Sequence, residues 1–410
     1  MSREVTTEGC LPLPHVFPCM ADSDAESIQH AVDSAAAQGG TAVIPARNAR
    51  TGAEGWTLDR AIVLPDSAAV LLDGCRITLA EGVMDNFFRS ANAFSGEPRE
   101  LRAIRLLGRG GAVLAGGAPN GLCEATSLKE GRPHVRRNCP VLLTNVRDFA
   151  VEGFEIRDQQ YWGVCLEYCS HGRLAALRFM AHHDRNNQDG IDLRDGCHDI
   201  VIEDISGQTG DDMIALSAID ASPVASVQMG SPDIHDIEIH NVTGAAQNHP
   251  LVAMRNHNGS RLYGIRVSGL RDTPFAEPAR GDDQPRYALV RIGNNRYFRH
   301  RPSCMGETFD IVLRDLDASH SLRGVVLAAT VRDLRIEGLH CHGICGRAIT
   351  TDGPLWAGEL GAKVEGLVAE GVRVETPNGR LLDFDAMRPG DFVAASSVNG
   401  EDYSLSTAPQ

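Results

Sequence analysis

Lysine is nearly missing from this chain. Lys129 and Lys363 are the only two among 410 residues, so almost all positive charge is arginine, and the formal net charge is −15. Such an acidic chain lacks the basic surface that phosphate backbones demand, which sets nucleic acid aside as a partner. The charge does not identify a ligand either, because a local site can oppose the overall balance. Aromatic residues are also scarce, at 5%. No stretch approaches the ~20 apolar residues of a membrane-spanning helix, so no membrane partner is expected. Met1 to Met20 contain neither a basic start followed by an apolar run nor a small-residue cleavage site. Eleven cysteines is an odd number, and Cys165, Cys169 and Cys197 fall inside strand-like stretches, where a free thiol packs as a small hydrophobe. The expectation is a cytoplasmic protein, or a secreted one whose leader has been removed.

What is abundant turns the chain: 42 glycines and 20 prolines, beside 42% hydrophobic residues. That is the turn density of an all-β chain with ample material for a large core. A phrase repeats along it. Val146-Arg147-Asp148-Phe149-Ala150-Val151-Glu152-Gly153-Phe154 returns as Cys197–Ile205, Ile234–Val242, Thr308–Leu316, Val331–Leu339 and Lys363–Val372. A second apolar strand follows each copy, at Gly163–Leu166, Gly190–Leu193, Met213–Leu216, Leu251–Met254, Ala288–Ile292, Gly324–Leu327, Arg347–Thr350 and Leu381–Phe384. Short alternating strands broken by Gly, Asn and Asp turns predict a parallel β-helix, whose coils stack to bury one continuous core. An amphipathic stretch from Asp22 to Gln38, stopped by Gly39-Gly40, predicts a helix capping the open end of the solenoid. The organisation expected is one domain over 1–410: a cap over about 20–56, coils over 57–385, and a tail over 386–410. Residues 80–103 and 116–138 read as long loops, and Ser404–Gln410 as loose.

Two turns carry the chemistry. Asn187-Gln188-Asp189-Gly190-Ile191-Asp192-Leu193 and Gly210-Asp211-Asp212-Met213-Ile214-Ala215-Leu216 are each a polar turn followed by a short strand, 22 residues apart. One coil apart means neighbouring rungs, about 4.8 Å from each other. Three carboxylates gathered in that way push their proton affinities apart, which makes an acid and a base from one residue type. Taken singly, each motif is also an ordinary turn former. Their coincidence on one face is what reads as a site.

The segment from Arg132 to Ala218 resembles the core of the polygalacturonase family of glycoside hydrolases, family 28, and the likeness extends over roughly residues 20–300. That family reads Asn-Thr-Asp, Gly-Asp-Asp, Gly-His-Gly and Arg-Ile-Lys along successive coils. Here Asn187-Gln188-Asp189 has Gln for Thr, and Gly210-Asp211-Asp212 matches in full. Asn248-His249-Pro250 falls where the third motif belongs, with His257 as a rival for the histidine. Arg291-Ile292-Gly293 matches the fourth except for Gly293 in place of lysine. The resemblance implies a right-handed parallel β-helix, no cofactor, and inverting cleavage of a glycosidic bond in an oligo- or polysaccharide. It implies Asp211 as general acid, Asp189 and Asp212 holding the attacking water, and His249 tuning the acid. Asn187, Arg255, His257, Arg291 and Tyr297 are the substrate-binding candidates. The missing lysine predicts poor grip on a plain uronate polymer, with Arg255 as a substitute cation.

Other readings stay open at this point. A polysaccharide lyase on the same fold would use the aspartates to hold calcium and an arginine as base. A glycan transferase, or a solenoid that binds carbohydrate without cleaving it, fits the same repeat. Tyr161 and Trp162 read as loop anchors. His340, with Cys341-His342-Gly343-Ile344-Cys345, has irregular ligand spacing and reads as a turn carrying buried thiols, so no metal is assigned. Oligomeric state is not legible.

Overall fold

The computed structural model describes residues 14–406 except 20, 97, 128, 183–185, 220–225, 277–286, 294–300, 302, 352–361, 385–386 and 388–389. It is a right-handed parallel β-helix. A sheet of 22 strands wraps much of the solenoid, and a second sheet of 11 short strands runs along it. The second sheet contains all eight strands predicted to follow the repeat, from Val164–Glu167 to Arg380–Asp383. It also contains Ile62–Leu64, Phe88–Ser90 and Val141–Thr144. Every pairing within it is parallel and in register, as in Ile191↔Ile214, Ile214↔Val252 and Val252↔Val290.

The repeat phrase owes its aspartate to the backbone. Asp148, Asp199, Asp236, Asp310 and Asp333 stand at the same place in five copies, and all take left-handed conformation, with φ between 53° and 58°. Asp and Asn tolerate that bend because the short polar side chain bonds locally. Asp189, Asp211 and Asp212 are not among the left-handed residues; Asn187, at φ 63°, takes the turn before them. The site aspartates are therefore not there to make the bend.

The two faces of the short-stranded sheet differ. Val164, Leu166, Ile191, Leu193, Ile214, Leu216, Val252, Met254, Val290 and Ile292 point into the continuous core. Between them Cys165, Asp192, Ala215, Ala253 and Arg291 form one outward row, in register from rung to rung. These outward residues are buried as well, because loops pack over the sheet. Val135, Cys139, Tyr161 and Trp162 cover it on the N-terminal side, and Tyr287, Ala288 and Ala328 on the C-terminal side. A buried outer face walled at both ends is where polar side chains can be held dry.

The predicted cap is a helix over Asp24–Gln38, begun by the Ser23 side chain accepting from the Glu26 N–H and stopped by left-handed Gly39. Every described cysteine is free. No helix among the described residues is long and apolar enough to cross a membrane. Two expectations fail. Residues 80–103 are not only loop, since Phe88–Ser90 and Leu101–Arg102 pair into the sheets. Nor is the end of the chain a tail: Phe392–Val398 extends the long-stranded sheet and Glu401–Ser406 folds back on it antiparallel. Asn399-Gly400, with φ of 49° and 82°, makes that two-residue hairpin turn. Residues 407–410 lie outside the described part.

Candidate active site

Register decides which groups meet. Because Ile191 pairs with Ile214, Asp189 stands beside Asp212 and Gln188 beside Asp211. The matching step is thus one residue longer than the spacing of Asp189 and Asp211 suggests. Ile214 pairs with Val252, which sets His249 beside Asp211 on the next rung. The backbone ladder runs through the site: Gly163 N donates to Asp189 O and Gly190 N to Asp212 O, both at 3.0 Å. Gly190 is required there, since a Cβ would lie 2.4 Å from Met213 O and 3.1 Å from the Phe179 ring. Behind it Gln159 Nε2 donates to Asp189 O at 3.0 Å, and Gln188 Nε2 donates back to Gln159 O at 3.0 Å. This buried amide pair fixes the turn that carries Asp189, and the sequence reading missed it.

The carboxyls have unequal partners. Asp211 Oδ1 accepts from the Asp212 N–H at 3.0 Å and lies 2.9 Å from His249 Nδ1; its Oδ2 accepts from the Asn187 N–H at 2.8 Å. Burial alone would raise Asp211, but the His249 imidazolium, the Asn187 N–H and Arg255 outweigh it and hold the carboxyl below its ordinary range. Burial alone would lower His249, yet Asp211 and Asp212 carry it up to about 10. Asp212 is ion-paired with Arg255 and lies 3.6 Å from His249 Nδ1. Asp189 has less help, with Arg255 opposing its surroundings only weakly. Burial first, then Asp211, Asp192 and Asp212, push it well above the usual carboxylate range, and its buried Oδ1 has no hydrogen-bond partner among the described residues. Asp192, three residues on, is pushed by burial up to about 8 despite Arg194 at 3.7 Å. Burial therefore favours the protonated form of Asp189 and Asp192, while the cations around Asp211 favour its charged form.

This differs from the expectation that crowding would raise Asp211. The reason is His249, whose imidazolium lies 2.9 Å from Asp211 Oδ1 and outweighs the crowding. Exposure sorts the groups further: His249 and Arg255 keep 28% and 16% of their side chains in solvent, against 1% for Asp212. The imidazole and the guanidinium form the rim, and the carboxyls form the floor. Asp211, Asp212 and His249 also place ligand atoms within 4.8 Å of one another. In that trio the imidazolium and Arg255 already supply the positive charge a metal ion would bring.

The remaining candidates separate. Asn187 contributes its backbone N–H to Asp211. Arg291, 6% exposed, lies two rungs past Ala215 in the outward row, its guanidinium 5.4 Å from the Tyr287 ring centroid. His257 is a correction. It is the last residue of the Val252–His257 strand and has no solvent exposure, and burial, helped by Arg255 and Arg194, pushes it down to about 3. A neutral, enclosed imidazole does not meet a sugar, so neither the binding role nor the rival claim to the third motif holds. Tyr297 lies outside the described residues. Tyr161 and Trp162 are anchors: buried, stacked at 4.6 Å, with Tyr161 Oη donating to Glu124 Oε1 at 2.6 Å. Arg136 and Arg194 lie over the Trp162 ring at 3.9 and 4.5 Å, and Arg136 pairs with buried Glu167 at 3.1 Å.

Gly293 is enforced by its surroundings. Its φ is 96°, and a Cβ would fall 2.2 Å from Ala329 Cβ and 2.7 Å from the Ala328 carbonyl carbon. Gly293→Lys is therefore expected to destabilise the fold instead of restoring a uronate contact. Thermal unfolding checks this, and a variant as stable as wild type with improved binding of galacturonate would refute it.

No family model matches the sequence, and no curated protein matches it. Solved structures do. The family 28 exopolygalacturonase of Yersinia enterocolitica is similar at 12% identity and TM-score 0.56, over 96% of this chain and 80% of that one. The polygalacturonase of Erwinia carotovora gives 14% and 0.56, over 92% of this chain and all of that one. The tailspike of Escherichia coli bacteriophage HK620 gives 16% and 0.56, over 86% and 62%. Likeness at such low identity establishes the fold, the right-handed parallel β-helix.

Proposed function

We propose that this protein is a glycoside hydrolase that cleaves a glycosidic bond with inversion, using the three stacked aspartates. The observation that carries the reading is the gathering of carboxyls with unequal partners on adjacent rungs: Asp211 lies 2.9 Å from His249 Nδ1, Asp212 is paired with Arg255, and the buried Oδ1 of Asp189 has no hydrogen-bond partner among the described residues. Glycoside hydrolysis needs one group to protonate the leaving oxygen and another to activate water on the opposite face of the sugar. Two of the similar structures are named polygalacturonases, which supports a carbohydrate as the substrate.

In this reading the donor is the pair Asp211–His249. The imidazolium stores the proton 2.9 Å from Asp211 Oδ1 and passes it through Asp211 to the departing oxygen. Asp212, oriented by Arg255, takes the proton of the attacking water, and Asp189 positions that water. A second assignment is favoured by one feature: burial and the neighbouring carboxyls push Asp189 well above the usual carboxylate range. It would then be the acid, with Asp211 and Asp212 on the water side. A glycosyl fluoride separates the two, because fluoride leaves without protonation. The acid's Asn variant keeps activity on the fluoride and loses it on the natural glycoside, whereas the base's variant loses both.

The substrate we infer is a short oligosaccharide of pectic type, not the long unmodified polymer. Gly293 removes a cation, Arg255 is engaged by Asp212, and Arg291 offers a planar fork instead of a point charge. A panel of pectic, rhamnose-containing and neutral oligosaccharides, assayed with EDTA present, tests the reading. The expected product is saturated, forms undiminished by EDTA, and arises faster from short substrates than from polygalacturonate. An unsaturated product absorbing in the near ultraviolet, or activity abolished by chelator and restored by calcium, would replace the hydrolase with a lyase.

A further inference from the structure

One cluster of metal-ligating side chains lies far along the solenoid from the aspartates, on the outer face of the long-stranded sheet. His340 and His342 are two residues apart at the end of the Thr330–Cys341 strand, so both point outward, on either side of buried Cys341. The preceding rung sets Asp317 beside His340, and the following rung sets Arg373 there, with Glu375 two residues further on. His342 Nε2 lies 2.7 Å from Asp317 Oδ1, and His340 Nε2 lies 3.1 Å from Glu375 Oε1. The two imidazoles stack with centroids 4.6 Å apart, and Asp317, His340 and His342 each offer a ligand atom within 4.8 Å of the others.

We infer that Asp317, His340 and His342, with Glu375 within reach, bind a late first-row divalent metal ion of the zinc class. Zinc takes imidazole nitrogen and carboxylate oxygen at about 2.0–2.2 Å, so its ligand atoms sit roughly 3.3 Å apart in a tetrahedron. The present spacings need only small side-chain rotations. Those rotations are available, since Asp317, His340 and His342 keep 31%, 34% and 38% of their side chains exposed. Mixed nitrogen and oxygen ligands select zinc, nickel or copper over calcium and magnesium, which take oxygen throughout. The thiols of Cys341 and Cys345 are in the core and stay out of the ligand set, which is why the spacing of cysteines in the sequence did not describe a site. Arg271, whose Nε lies 3.5 Å from Asp317 Oδ2, orients that carboxylate from the rung before. A bound ion would tie together the strands Thr308–Ala318, Thr330–Cys341 and Val368–Val374, and so stabilise the folded state by linkage.

The test uses the full chain, stripped with EDTA and dialysed, then titrated with zinc chloride by calorimetry and followed by thermal unfolding. One saturable site and a zinc-dependent rise in melting temperature are expected. His340→Gln/His342→Gln, and separately Asp317→Asn, should weaken zinc binding by at least about tenfold, no less than is lost on removing an outer-sphere partner. Both should also lose the rise in melting temperature. His198→Gln, in the other histidine cluster beside Asp199, should leave binding unchanged. Calcium at the same concentration should give neither heat nor stabilisation. The proposal is overturned by absence of saturable zinc binding, by wild-type binding in both variants, or by calcium binding as tight as zinc.

Discussion

Asp211→Asn is expected to lower turnover of the preferred oligosaccharide about a thousandfold, in the range general acid–base groups contribute, and Asp189→Asn to lower it comparably. Their effects on stability should have opposite signs. Asp211 is a carboxylate whose affinity for protons is lower in the fold than outside it, so it stabilises the protein above its ordinary value and stops doing so as pH falls. Its partner His249, raised to about 10, stabilises fully below about 6.5 and loses that contribution as pH climbs through about 10. The pair therefore contributes across the neutral range, and removing Asp211 should lower the melting temperature at pH 7. Asp189 runs the other way. The fold binds its proton more tightly than the unfolded chain does, so its presence costs stability increasingly as pH rises above about 3.9. Asp189→Asn should raise the melting temperature at pH 7 while abolishing turnover. Thermal unfolding of both variants checks this; a drop for Asp189→Asn would mean its carboxyl is charged and stabilised in the native state.

Arg255→Met is expected to have the second largest effect, on stability and activity together. Asp212 has 1% of its side chain exposed and is paired with this guanidinium. Deleting one partner of a buried pair leaves an uncompensated charge, a change that costs about 3–5 kcal/mol. The lower end is expected here because His249 Nδ1, at 3.6 Å from Asp212 Oδ1, supplies part of the missing positive charge. Denaturant unfolding of the variant against wild type measures it, and a loss below about 1 kcal/mol, typical of a surface pair, would show that Arg255 serves substrate alone.

How much of this was legible in the sequence follows from what each signal depends on. Strand alternation is local and strong where Ile, Val and Leu recur in the core, so all eight predicted strands of the short sheet are present. The repeated aspartate of Asp199 and Asp236 marks a left-handed bend, which is again a local property. The final hairpin was missed because Phe392–Val398 buries only some of its residues, and Ala394-Ala395-Ser396-Ser397 dilute the pattern. At the site, residue types were readable but their charge states were not. These depend on which groups register brings together: the pairing of Ile191 with Ile214 puts Asp212, not Asp211, beside Asp189, and that of Ile214 with Val252 puts His249 on Asp211. His257 was misjudged for the same reason, since burial at the end of a strand cannot be seen from a histidine among Asn256 and Asn258. Arg255 was expected to meet substrate, and its pairing with Asp212 required the fold.

The most direct measurement of the central claim is the anomeric configuration of the first product, followed by proton NMR during cleavage of a preferred pectic oligosaccharide in EDTA. The proposed chemistry, water activated opposite a leaving oxygen protonated by a second carboxyl, predicts that the inverted anomer forms first and mutarotates later, and that Asp211→Asn gives no signal over the same period. A product formed first with retained configuration would mean that an aspartate attacks the sugar directly, and it would contradict the account.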